Sequence, residues 1–136
     1  MMEAHKILTG KTWTYRSFMN DADQNTTPDD LLFGQGKMIF EQSPIGKVNG
    51  YFDFGEARLN FRGYITYGNP FTLRYQGTGI NGTVTEGWVY DYLGYYIPYW
   101  PNGIDQVDAI AGSVIRTAPH SNGQAKAGLV ASFYAC

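Results

Sequence analysis

Glu86 lies in "TVTEGWVYDYL" (83–93), on the same alternate-residue row as Val84, Trp88, Tyr90 and Tyr92. Residues two apart on a strand share a face, so one carboxylate would stand among three aromatic rings and a valine. If that face is interior, lost hydration raises the carboxyl pKa and equips it as a general acid or base. Arg116 is placed alike: in "DAIAGSVIRT" (108–117) it shares a row with Ile110, Gly112 and Val114. A Glu86–Arg116 pair inside the molecule would supply an acid or base and its orienting cation. The competing readings are an inert structural ion pair and a row that faces outward. Glu86 and Arg116 are thus the candidate catalytic residues, and Trp88, Tyr90 and Tyr92 the candidate ligand contacts.

A second cluster follows in "GYYIPYWPNG" (94–103), which carries Tyr95, Tyr96, Tyr99 and Trp100. Pro98 and Pro101 each remove a backbone donor and fix φ, so a stiff loop rather than regular structure is expected. Rings held this way lose little entropy on binding. Tyr99 and Trp100 are expected either to cap an interior cavity or to pack on a neighbouring subunit, and capping is the favoured reading.

Other chemistries fit less well. The two histidines, His5 in an N-terminal tail and His120 in a turn, form no metal-ligand spacing, and no metal or cofactor is expected. His120 adjoins Ser121, but no G-x-S-x-G elbow accompanies the pair. "GTGING" (77–82) lacks the Lys-Ser/Thr of a phosphate loop and reads as a glycine corner. Arg58, Arg62 and Arg74 share a parity on adjacent strands with Tyr64 nearby, a pattern suited to phosphate or a single strand. Ten basic against twelve acidic residues, net −2, argues against nucleic acid as a partner.

These residues need strands to hold them. Aromatic residues make up 16% of the chain, eleven of them Tyr, and 17 glycines punctuate it; such a composition favours β structure. "EARLNFRGYITY" (56–67) alternates most clearly, with Leu59, Phe61 and Ile65 on one face and Arg58, Asn60 and Arg62 on the other. Further strands are expected at 12–19, 31–41, 48–54, 71–76, 83–93, 108–117 and 126–135, with a polar loop at 20–30. Eight strands with short connections predict a single all-β domain over 1–136, a closed antiparallel barrel whose interior suits one small ligand.

Residues 52–87 carry a further pattern: Phe54-Gly55, then Gly63-Tyr64-Ile65-Thr66-Tyr67, then Gly77-Thr78-Gly79-Ile80 with Gly82 and Gly87. This stretch resembles the central part of allene oxide cyclases and plant dirigent proteins. The corner here is one residue shorter, and the family's first-strand motifs have no counterpart. "GKTW" (10–13) weakly resembles the G-x-W opening of the calycin-like lipocalin and avidin barrels. The first resemblance implies cofactor-free handling of apolar organic molecules, by cyclisation or by steering a coupling, in a barrel that is commonly trimeric.

The expected ligand is therefore a small apolar or aromatic molecule, bound with or without cyclase or isomerase chemistry. A non-enzymatic structural or interaction barrel is the rival. Outward aromatics and the apolar end "AGLVASFYAC" suggest a homo-oligomer of two to four copies. The single cysteine, Cys136, fits a reducing compartment. No apolar leader core or ~20-residue apolar span is evident, so no membrane association and a cytoplasmic location are expected.

Overall fold

The computed structural model describes residues 2–136. Its strands are β1 (Trp13–Met19), β2 (Leu32–Glu41), β3 (Lys47–Asp53), β4 (Arg58–Thr66), β5 (Thr72–Gly79), β6 (Val89–Ile97), β7 (Ala109–Arg116) and β8 (Val130–Ala135). Each pairs antiparallel with the next, and β1 pairs with β8, so the sheet closes into the expected eight-stranded barrel. Two short helices, α1 (Met2–Thr9) and α2 (Pro28–Leu31), complete it.

Period-two alternation fills the interior. On β4, Leu59, Phe61 and Ile65 are buried while Arg58, Asn60, Arg62 and Tyr64 face outward. Neighbouring strands send in Tyr15, Phe52, Tyr75 and Tyr92, whose rings pack on one another. Tyr75 and Tyr92 lie parallel, their centroids 4.8 Å apart. Such ring pairs contribute about 0.5–1.5 kcal/mol each beyond their buried area. The high aromatic content is thus largely core.

The two barrel ends differ. At one, α1 lies across the opening with Ala4 and Leu8 buried, one helical turn apart. The Trp13 indole donates to the Leu8 carbonyl at 2.9 Å. Lys11 pairs with Asp108 at 2.7 Å, and the Tyr96 hydroxyl donates to the same carboxylate at 2.9 Å. This end is plugged. The helix replaces the expected N-terminal tail; eight residues are too few to show periodicity, and docking rather than propensity sustains them.

Four strand boundaries also move by three residues or more, among them the start of β8, which begins at Val130 rather than at 126. Gly94–Ile97 continue β6 instead of starting the aromatic loop, and Gly77–Gly79 end β5 instead of turning. Residues 83–88 are not strand at all. The buried Thr85 organises them: its hydroxyl donates to the Arg58 carbonyl at 2.9 Å and accepts from Ile80 N at 3.0 Å. Gly82 and Gly87, both at positive φ, allow the reversal. A Cβ at Gly79 would collide with the Thr85 carbonyl, so the corner requires glycine there.

Candidate functional site

The opposite end is open. Here β1, β3, β5 and β7 finish, and a cavity of about 360 Å³ descends between them. Tyr15 and Tyr92 lie at depth, Leu59, Phe33 and Phe54 form the sides, and Trp88, Tyr90, Arg116 and His120 stand towards the rim. Gly34 keeps one wall low: a Cβ there would come 3.2 Å from Ser17 Oγ and 3.8 Å from the Tyr15 ring.

One polar array crosses this aromatic surface. Arg116 Nε donates to the Tyr90 hydroxyl at 3.0 Å, and that hydroxyl lies 2.8 Å from His120 Nε2. Since Tyr90 already accepts from the guanidinium, its own proton is free for Nε2. The pattern assigns His120 as the neutral tautomer with its proton on Nδ1, donated to Ser121 Oγ at 2.8 Å. Trp88 stacks on the imidazole at 4.4 Å. His120 reaches the rim because the β7–β8 loop doubles back sharply: His120 and Ala125 exchange backbone hydrogen bonds, and Ser121 and Asn122 take positive φ.

Burial sets the protonation of the site. It pushes the Tyr15 hydroxyl up to about 12, partly offset by the nearby Ser17 and Tyr92 hydroxyls. It raises Tyr92 and Tyr75 well above the ordinary tyrosine value, with neighbouring tyrosines adding to the effect. The deep tyrosines are thus neutral donors. Burial also lowers the His120 pKa, and the Arg116 charge lowers it further, in keeping with a neutral imidazole. Ser17 Oγ is wholly buried on the wall; it lies close enough to the Tyr15 hydroxyl to influence it, but the two fall short of hydrogen-bond geometry, and it has no other partner among the described residues.

The structure brings together Trp88, Tyr90, Tyr92 and Arg116, as their rows suggested. It does not bring in Glu86. That side chain is exposed in the 80–88 turn, where its carboxylate accepts from Gly82 N at 3.0 Å. The expected Glu86–Arg116 pair is therefore not formed: the strand begins at Val89, so the alternating row cannot extend back to residue 86. The lid is corrected too. Tyr99 and Trp100 follow the end of β6 and lie by the plugged end, away from the cavity mouth, with Trp100 65% exposed.

His120, Ser17, Tyr15, Phe33 and Phe54 were missed as site residues. The signal for His120 was "HSNG", an Asn-Gly turn that returns the histidine over the strand ends. Arg58, Arg62 and Arg74 face outward as expected; Arg58 lies over the Tyr51 ring at 3.6 Å, and Arg62 and Arg74 border an outer groove of about 500 Å³ with Tyr64 and Leu93. Among the described residues no cluster of potential metal ligands occurs, and no helix is long and apolar enough to cross a membrane.

No protein-family model, curated protein or solved structure matches the chain. The resemblance over residues 52–87 therefore stands only as a matter of architecture, the closed antiparallel barrel.

Proposed function

We propose that the barrel binds a small, flat, apolar or aromatic molecule through its open end. The observation that carries this reading is the aromatic-walled cavity of about 360 Å³ with one polar array at its rim. Volume and lining both suit small-molecule recognition, in which apolar walls supply affinity and a few polar groups fix orientation. Any proton transfer there falls to Tyr90 and His120, a hydrogen-bonded donor and acceptor beside the cavity. An isomerase or cyclase role of the allene oxide cyclase or dirigent kind is the finer version. It is supported by barrel architecture and by the motif in residues 52–87, and it needs no cofactor.

Titrating the protein with naphthalene, biphenyl and terpenoid alcohols, read by tryptophan fluorescence, tests the binding reading. Trp88 reports from the cavity, so a saturable change that disappears in Trp88→Phe is expected. Absence of a response to every compound would refute it.

A second reading concerns assembly. Trp100, Ile104 and Val107 form an exposed apolar group at the plugged end, which supports self-association through that face rather than a lid. Light scattering of the wild type and Trp100→Ala separates the cases: a 15.2 kDa monomer in both removes the oligomer. A cytoplasmic setting is supported by the single cysteine.

A further inference from the structure

We infer that the cavity's ligand is a carboxylate-bearing planar molecule, anchored at the mouth by Arg116; this rests on the cavity reading above. Arg116 is half-buried, its guanidinium 5.4 Å from the Phe33 ring centre and 5.7 Å from that of Tyr90. A guanidinium has five N–H donors. One goes from Nε to Tyr90 and one from Nη1 to the Lys126 carbonyl at 3.2 Å. The other three, on Nη1 and Nη2, have no protein acceptor among the described residues.

The charge is also unpaired. Among the described residues the ion pair is Lys11–Asp108, at the plugged end. Glu86, the expected partner, is engaged with Gly82 N. His120, beside the cation, is neutral or positive and cannot compensate it. Charges removed from water are ordinarily matched by an opposite charge or a full set of acceptors. Arg116 is only half-buried, so water at the open mouth serves its three spare donors, and a ligand's anionic group entering there would meet them with no protein carboxylate to displace.

The ligand's charge and shape follow. One cation calls for one negative charge, since a phosphate dianion would bring a second, uncompensated charge onto an apolar wall. A carboxylate accepts the paired donors of a guanidinium in their own plane. Behind it, Trp88, Phe33 and Phe54 line the cavity with apolar ring surface suited to an aromatic body.

The test compares two probes of nearly equal shape, 2-naphthoate and 2-naphthamide, by titration calorimetry at neutral pH. The wild type is expected to bind the carboxylate about tenfold or more tightly, the scale of one charge-assisted hydrogen bond. Arg116→Gln should bring the ratio near unity while retaining amide binding. Tyr90→Phe, which removes one acceptor but keeps the positive charge and its spare Nη donors, should keep the preference. Equal affinity in the wild type, or an undiminished preference in Arg116→Gln, would overturn the inference while leaving the cavity reading intact. If neither probe binds the wild type, the cavity reading falls and takes the inference with it. Should Arg116→Gln not fold, Arg116→Lys decides instead: a point charge without the fork should lower the ratio severalfold, and an unchanged ratio overturns the proposal.

Discussion

Ser17→Ala and Tyr90→Phe each remove one hydroxyl from the cavity wall, and the structure assigns them opposite effects. Ser17 Oγ is buried without a partner. A buried hydroxyl left unpaired costs about 1–3 kcal/mol, and alanine removes that penalty while leaving a small void, for a net gain of about 1 kcal/mol. The Tyr90 hydroxyl, by contrast, accepts from Arg116 at 3.0 Å and bonds His120 Nε2 at 2.8 Å. Losing one charged and one neutral hydrogen bond would cost about 2–4 kcal/mol if both partners stayed dry. Arg116 and His120 are only half-buried, so water replaces part of the loss and about 1–2 kcal/mol remains. With a urea slope of about 2 kcal/mol/M, Ser17→Ala should raise the unfolding midpoint by about 0.5 M and Tyr90→Phe should lower it by about 0.5–1 M. Equilibrium urea unfolding with unchanged slopes is the assay. If Ser17→Ala lowers the midpoint as far as Tyr90→Phe does, the Ser17 hydroxyl is satisfied and the reasoning fails.

The His120 pKa is lowered in the fold, so as pH falls through the ordinary 6.5 the unfolded chain takes up the proton first. Stability should decline below that pH until the folded value is passed; an NMR titration midpoint for His120 above 6.5 would contradict this. Asp108 behaves likewise at lower pH: burial alone would raise its carboxyl, but hydrogen bonds from Lys11 and Tyr96 outweigh it and leave it below 3.8. Its contribution is present above 3.8 and is lost as pH falls from there through the folded value, so Asp108→Asn should reduce the acid dependence of melting in that range. Gly79→Ala forces a methyl against the Thr85 carbonyl and should destabilise by about 1–3 kcal/mol, visible in a melting scan. Glu86→Gln alters an exposed side chain that does not line the cavity and should leave ligand titrations unchanged.

The barrel was legible because its strands alternate. Leu59, Phe61 and Ile65 against Arg58, Asn60 and Arg62 set both strand and facing, and the same rule put Tyr90, Tyr92 and Arg116 near one another. Alternation misled where it was accidental. The Val84–Glu86–Trp88 row continues the β6 parity through residues that fold back on Thr85, a threonine whose side-chain bonds outweigh its β propensity. The site's histidine was hidden for a different reason: its position depends on a loop reversal, and local sequence does not say where a loop tip lands. The plug was illegible because a two-turn helix exists only through what it covers, Trp13 and its neighbours.

Seven of the eight strand pairings join neighbours in the chain; the eighth joins β1 to β8, with Tyr15 opposite Ala135. During synthesis the seven hairpins can form as each strand emerges, but the seam waits for the last of them. Until then β1 and β7 present unpaired edges, the kind of surface that recruits strands from other chains. The nascent protein is therefore most exposed to misassembly until β8 has emerged and closed the seam, and substitutions that weaken β8 should show first as lost yield of folded protein in the cell.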